Sequence, residues 1–446
     1  MPQLSAAPDI LRSAQRKASL RLLPVIAIGY CLAYMDRINI SFASLRMNQD
    51  LHFSATVYGV GAGLFFVAYA LCEVPSNLLL LRFGARRWLT RIMLTWGVLA
   101  AAMMFVRTPW QFYTLRLLLG IAEAGFFPGV IYYLTLWFPA SMRARAVSRF
   151  YIALPLSSTV MGSLAGWLLG LNGHLGLAGW QWLFVVEGLP AALFSLVIFF
   201  ALPDGPARAG WLTAEEKASL QRQIDSDSSH AHLGHGTGIL PALLSGKVWL
   251  IGIYFFCTLF CSYAYGFNAP AMYQEATGWS VSRIGALIAA LGVLGAFSML
   301  LNSAHSDRTG ERRLHCMVPC LIMAVAFLTA GAAHTPWLVV PALGIGFICT
   351  VAHLGPSLAI PMQFLAGPAA AAGIAAMNTI TMFSGFVGPF WMGRVKDLTG
   401  NYRLGMLGLV LPSLAAVAVL HLLSVNLARP RVPVPASTLA EESLSP

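Results

Sequence analysis

Tyr34-Met35-Asp36-Arg37-Ile38-Asn39-Ile40-Ser41-Phe42-Ala43 sets an acid and a base side by side inside an apolar run from about Leu22 to Leu45. Such a run is long enough to cross a bilayer, whose hydrocarbon core takes roughly 20 helical residues. A charge at the middle of a membrane helix costs on the order of 3 kcal/mol on insertion scales, so one that persists faces a bundle interior or a wet cavity. Neighbouring residues point about 100° apart around a helix, so Asp36 and Arg37 each need a separate partner. The pair either ties helices together or carries function, and in this setting function is the default expectation.

The rest of the chain agrees with that setting. Of its 446 residues 58% are hydrophobic and only 10% charged, with mean hydropathy +0.71. That composition excludes a set of soluble domains and predicts an all-α integral membrane protein. A net charge of +11 is explained by basic residues beside apolar spans, facing anionic lipid headgroups, rather than by nucleic-acid binding. No small-residue cleavage site follows the first apolar run, which is expected to stay as an anchor. The seven cysteines all fall in predicted spans and leave no disulfide framework. Cys257/Cys261 and Cys316/Cys320 have helical i,i+4 spacing but lack a His or third thiolate, so no metal is expected.

Twelve spans are predicted, at about 20–44, 56–81, 87–106, 110–138, 145–170, 180–202, 247–272, 281–304, 314–333, 336–363, 370–393 and 404–427. Most Lys and Arg fall on segments that lie inside if both termini are cytoplasmic, which predicts that orientation in the plasma membrane. Arg394, Lys396 and Arg403 are exceptions on the last external loop. The expected organisation is a tail (1–19), a six-helix bundle (20–202), a cytoplasmic linker (203–246), a second six-helix bundle (247–427) and a tail (428–446). Within the linker, Thr213-Ala-Glu-Glu216 is a capping box that predicts a surface helix over Ala214–Ile224. His230, His232 and His235 lack carboxylate or thiolate company and are not read as a metal site.

The halves repeat. Phe83-Gly84-Ala85-Arg86-Arg87 returns as Thr309-Gly310-Glu311-Arg312-Arg313, with Gly84 and Gly310 226 positions apart. In each copy Gly permits a turn with positive φ, and the arginines are expected to pair with carbonyls and carboxylates of neighbouring helices.

Independently of any relative, the polar residues converge. Arg37 and Arg116 each lie about seven residues from the outer end of a span, roughly 10 Å deep. Two guanidiniums at one depth suit a dicarboxylate, because arginine stays charged and grips a planar carboxylate bidentately; capping of carbonyls is the structural alternative. Glu123 shares a face with Arg116 two turns away, too far for a salt bridge, and is expected to have no adjacent cation. Burial there favours the neutral acid, so Glu123 can take up and release a proton. Tyr69 offers a hydroxyl at similar depth. Glu73 and Glu187 lie near span ends, where pairing with loop arginines is expected. The second half offers Tyr263, Tyr265, Asn268, His353 and Asn378, candidates for recognising substrate shape.

Ser306-Asp307-Arg308-Thr309-Gly310-Glu311-Arg312-Arg313 resembles the loop signature of the major facilitator superfamily, and the stretch Tyr34–Ala43 resembles the first-helix signature of its anion:cation symporter branch. Glu73-Val-Pro-Ser-Asn77, Leu117-Leu-Leu-Gly-Ile-Ala-Glu-Ala-Gly-Phe-Phe-Pro-Gly129, Trp180-Gln-Trp-Leu-Phe-Val-Val-Glu-Gly188 and Ala371-Ala-Gly-Ile-Ala375 stand where that branch would put them. The resemblance covers about residues 20–425. It implies proton-coupled symport of a small organic anion, such as tartrate, a sugar acid or an aromatic acid. Asp36 and Glu123 would couple protons, Arg37 and Arg116 would hold the anion, and Tyr69 would touch substrate. Gly84, Arg86, Arg87, Asp307, Arg308, Gly310, Arg312 and Arg313 would form the gating loops. A monomer is expected. Asn268, the Ser357-Leu358 pair and Met382 depart from the branch pattern and leave the substrate open, as does sodium in place of the proton.

No Gly-x-x-x-x-Gly-Lys-[Ser/Thr] loop, His-Glu-x-x-His or Gly-x-Ser-x-Gly motif occurs. ATP drive, a cofactor and enzyme chemistry are therefore not expected, and an ion gradient remains as the energy source. The competing readings are an anion exchanger or facilitator and, from another class, a membrane-embedded enzyme or sensor.

Overall fold

The computed structural model describes residues 3–139, 142–143, 146–147, 153–231, 246–361 and 367–423, with side chains placed for all of these except 3–8, 154–155, 227–231 and 367–376. No strand occurs among them. Helix α1 runs Gln3–Asp50, followed by α2 (Ala55–Phe83), α3 (Ala85–Ala102), α4 (Pro109–Glu123), α5 (Phe126–Thr135), α6 (Ala153–Gly170) and α7 (Gly179–Ala201). A linker helix α8 (Ala214–Ala231) leads to α9 (Gly246–Thr277), α10 (Val281–Thr309), α11 (Arg313–Ala332), α12 (Pro336–Ala352), α13 (Leu354–Leu358), α14 (Gly367–Thr399), α15 (Arg403–Gly408) and α16 (Val410–Leu422). Ten of the segments they form are long and apolar enough to cross a membrane. Helices α6 and α14 stand at the fifth and eleventh expected spans, and α4/α5, α12/α13 and α15/α16 are each one broken traverse. The fold is twelve membrane helices in two repeats.

Burial divides the same way. One apolar core gathers side chains from Ala14 to Ile224 and takes in Phe267, and a second gathers Val248 to Leu423. Large exposed apolar side chains such as Leu71, Trp110, Phe200 and Leu301 lie outside both, as surfaces facing lipid require.

Helix α1 differs from expectation at both ends. Its first turns are not a separate tail: Ala14 and Ala18 are fully buried, and Ser13 Oγ and Lys17 Nζ each donate to Glu216 Oε1 at 2.7 Å. Glu216 also closes the expected capping box, accepting from Thr213 N at 3.0 Å while its own N donates to Thr213 Oγ1 at 3.2 Å. The helix it caps runs seven residues beyond the expected Ile224. His232 and His235 lie outside the described residues.

The two Gly turns form as the repeat predicts, with φ of 86° at Gly84 and 68° at Gly310. Arg312 pairs with a neighbouring helix's carboxylate as expected, while Arg86 and Arg313 find other partners. Arg86 stacks over Phe199 at 4.2 Å, and its backbone N donates to Asp204 Oδ1 at 3.1 Å. Arg312 pairs with Asp307 and donates to Ser306 Oγ at 3.1 Å. Arg313 reaches His421 Nδ1 at 2.5 Å.

The halves meet closely at the end carrying residues 51–54 and 400–402. Asp397 on α14 accepts from Ala55 N at 3.0 Å and Thr56 N at 2.7 Å, capping α2 from the other half. Tyr58 Oη donates to Phe267 O at 2.6 Å. Between α6 and α10 the backbones touch: a Cβ on Gly162 would stand 2.5 Å from Gly285 O. Two of the three basic residues that broke the charge pattern, Lys396 and Arg403, are occupied here. Lys396 pairs with Glu275 and donates to Gly400 O at 2.6 Å, and Arg403 donates to Gly331 O at 3.1 Å and Ala332 O at 2.9 Å. The arginine satisfies terminal carbonyls of α11, a favourable place for a cation.

Candidate functional site

The fourth traverse breaks beside its acid. α4 ends at Glu123, Ala124 leaves the helix, and Gly125 takes φ 86° and ψ 0° before α5 begins. A Cβ on Gly125 would lie 2.4 Å from Ser76 Oγ, and Ser76 Oγ donates to Ala124 O at 2.6 Å, so α2 braces the break. The tenth traverse has a milder interruption at His353, between α12 and α13, where the backbone keeps right-handed helical angles (φ −75°, ψ −17°). Glu123 and His353 are 230 positions apart, close to the 226 of the sequence repeat. Paired interruptions at corresponding positions of two repeats mark the binding region of many transporters.

Asp36 and Arg37 turn to different partners, as their helical angle requires. Asp36, 3% exposed, accepts from Trp96 Nε1 at 3.0 Å and Asn39 Nδ2 at 3.3 Å. Arg37 crosses to α4 and places Nε at 2.8 Å and Nη2 at 2.5 Å from Glu123 Oε1. Both bonds land on one oxygen, and the buried Oε2 has no partner among the described residues. The expectation that Glu123 lacks an adjacent cation is corrected: the cation comes from another helix, which spacing along α4 cannot reveal. Glu123 is fully buried while the Arg37 side chain is 23% exposed, so the pair has a dry end and a reachable end.

Arg116 is 1% exposed and donates to Gly61 O at 3.3 Å and Ala62 O at 3.4 Å. In this conformation it follows the carbonyl-capping alternative, and the two-arginine clamp is not formed. The two guanidiniums nonetheless share a wall, at 5.7 Å and 4.9 Å from the Phe65 ring. Tyr69 lies under Arg37 at 5.2 Å. Long bonds to neutral carbonyls bind a guanidinium less firmly than a carboxylate does.

The second-half candidates separate. Tyr263 meets Phe66 in a tilted ring contact, centroids 4.6 Å apart, and so borders the Phe65–Tyr69 wall. Asn378 Nδ2 donates to Glu73 Oε2 at 3.0 Å, a bond between the halves. Asn268 turns back to Ala264 O at 3.0 Å, leaving its buried Oδ1 unpaired. Tyr265 bonds Tyr273 and His353 bonds Tyr254, each at 3.0 Å, both within the second core. Among the described residues no loop arginine pairs with Glu73 or Glu187: Asn378 serves the first, and Asn39 Nδ2, at 2.6 Å, the second. Sequence reasoning missed Phe65, Trp96 and Asn39; Asn39, three residues beyond Asp36 and hence on its face, was the one that spacing could have shown.

The sequence profile of the Major Facilitator Superfamily matches residues 26–389. A protein of Agrobacterium vitis provisionally named a tartrate transporter is 42% identical over 401 residues, covering 89% of this chain and 88% of that one. The inner membrane transport protein RhmT of Escherichia coli is 35% identical, covering 92% and 94%, and a quinolone resistance transporter of Acinetobacter baumannii is 37% identical, covering 94% and 97%. Among solved structures, a bacterial homologue of the human lysosomal transporter Spinster, inward-facing and occupied, superposes with TM-score 0.74 at 17% identity, covering 90% of this chain and 96% of that one. With a profile match over most of its length, full-length relatives and the shared fold, this chain belongs to the major facilitator superfamily, as a multi-pass membrane transporter and not an enzyme.

Proposed function

We propose that the protein imports a small organic anion, a mono- or dicarboxylate, together with protons by alternating access. The observation that carries this reading is the Arg37–Glu123 pair, in which a half-reachable guanidinium is held by a buried carboxylate. Arg37 can serve the Glu123 anion or a substrate carboxylate, and protonation of Glu123 frees it for substrate. Proton and anion therefore favour each other's binding, which is the coupling that symport requires. Arg116, beyond the Phe65 ring, supplies a second guanidinium for a dicarboxylate, and Tyr69 and Tyr263 line the same wall. The name of the Agrobacterium relative supports an organic acid as cargo. The distribution of basic residues supports cytoplasmic termini, with the Asp397 end outside.

Purified protein in proteoliposomes tests this. Uptake of labelled tartrate and other carboxylates should be driven by an inward proton gradient and collapse with a protonophore. Drive by sodium alone, or uptake indifferent to both gradients, would replace symport with sodium coupling or exchange. The quinolone resistance relative makes a quinolone the other cargo to include, and transport of a quinolone with no transport of small carboxylates would overturn the assignment.

A further inference from the structure

Asn39 Nδ2 touches two carboxyl groups, Glu187 Oε2 at 2.6 Å and Asp36 Oδ1 at 3.3 Å. The two acids therefore stand within about 6 Å, where like charges disfavour ionising both. All three residues are buried, with Glu187 4%, Asp36 3% and Asn39 1% exposed. The donors are unequally divided. Asp36 has Trp96 Nε1 as well as Asn39, and faces the positive charges of Arg116 and Arg37. Among the described residues Glu187 has Asn39 alone, its Oε1 is buried without a partner, and the charged group acting on it is Asp36. Backbone packing fixes this arrangement. On α3 and α7, a Cβ on Gly97 would lie 2.4 Å from Ala192 N, and one on Gly188 2.4 Å from Ala101 N. The residue before each glycine, Trp96 and Glu187, is thereby held in one layer against α1.

An ionised Glu187 would leave a buried negative oxygen with neither donor nor cation, much costlier than an unpaired neutral hydroxyl. We infer that Glu187 carries a proton, and that with Asp36 it forms a carboxyl pair holding one proton between them, a second proton-binding site besides Glu123. The negative charge rests on Asp36, which has the donors, and the proton on Glu187. For transport this rests on the proton-coupled reading above. Without Glu187, Asp36 would have no second carboxyl with which to share a proton.

The test is the infrared spectrum of the protein in lipid, read at the carbonyl stretch of a protonated carboxylic acid, for wild type and Glu187→Gln near neutral pH. A band present in wild type and absent from the variant is expected, and titration from neutral to alkaline pH should release one more proton per chain from wild type. Identical spectra and equal proton counts would overturn the inference. A merely structural role is separated by the pH profile of gradient-driven uptake, because glutamine still accepts from Asn39. Its alkaline limb should move toward acid by about one pH unit in Glu187→Gln and return in Glu187→Asp; an unmoved limb counts against the pair. If Glu187→Gln fails to fold, glutamate labelled with carbon-13 at the side-chain carboxyl settles the matter in Glu73→Gln/Glu123→Gln protein: a protonated-glutamate band is expected, and its absence overturns the assignment. The spectra and proton counts need no transport, so failure of symport and failure of this inference are distinguishable.

Discussion

Arg37 places Nε and Nη2 on the same oxygen of Glu123, at 2.8 and 2.5 Å, and the second carboxylate oxygen is left buried and unpaired. A bidentate fork would use both oxygens. The one-sided contact leaves Glu123 a free oxygen to protonate, and leaves Arg37 part of its fork for another carboxylate. On the proposed reading, this one cation serves two anions in turn, Glu123 and the substrate carboxylate.

Glu123→Gln imitates the protonated acid and removes the competitor. Substrate exchange by counterflow should persist, with affinity equal to or tighter than wild type, while accumulation driven by a pH gradient is lost. Paired assays on one proteoliposome preparation measure both. If the variant concentrates substrate to the wild-type level, Glu123 is not a coupling acid.

Arg116→Lys keeps the charge but loses the planar fork. Substrate affinity should fall at least tenfold, about 1.4 kcal/mol. The carbonyls of Gly61 and Ala62 can be served by an ammonium, so the melting temperature without substrate should change little by comparison. A fall in stability with unchanged affinity would make Arg116 a helix tie only.

Gly125→Ala forces a Cβ into the left-handed region and onto Ser76 Oγ. Strain of this kind costs about 1–3 kcal/mol, and relieving it displaces Glu123, two residues away. Thermal unfolding should show the loss, and proton-driven uptake should fall more than counterflow. Wild-type stability would mean that the break is not fixed by this turn.

The clasp between α1 and α8 has its own pH window. Glu216, ordinarily near 4.5, is held at about 2, first by the bond from Lys17, against the opposing effect of burial, with Thr213 N and Ser13 adding to the lowering. A carboxylate depressed in the folded state contributes stability that is fully present above about 4.5 and lost as pH falls toward 2. Lys17 is 43% exposed, so the contribution is about 1 kcal/mol or less. Amide exchange at residues 13–17 and 214–216 should quicken across that window in wild type and already be fast in Glu216→Gln; no difference between the two would remove the clasp.

The fold was legible because a membrane leaves few choices: apolar runs of spanning length, Gly turns repeated 226 positions apart, and a capping box in the linker each act locally. The partners of Asp36 and Arg37 were not. Trp96 and Glu123 lie on other helices, and helical spacing fixes the face of a side chain but not which helix comes to meet it. Arg116 shows the same limit, since matched depth with Arg37 located it beside Phe65 but could not say that carbonyls of α2 occupy it. The misplaced cations of the last loop have an account only in three dimensions, where Arg403 meets the end of α11.

Asp397 closes one end of the molecule. Its two oxygens each take a backbone N–H at the start of α2, so a carboxylate of the second half caps a helix of the first. Negative charge at a helix N-terminus and satisfied terminal N–H groups each stabilise by about 1 kcal/mol, and here that energy exists only while the halves are together at this end. Ser54, the N-cap of α2, still accepts from Val57 N at 3.2 Å, so the helix keeps one cap when Asp397 leaves. Asp397→Ala should therefore spare the fold and weaken the closed state. A loss of about 1 kcal/mol raises the population open at this end roughly fivefold. Spin labels at exposed Arg107 and Arg394, one on each half, report the change as a longer-distance population in substrate-free protein. An unchanged distance distribution would show that the close packing of α6 on α10 and the Tyr58–Phe267 bond hold this end shut without the carboxylate.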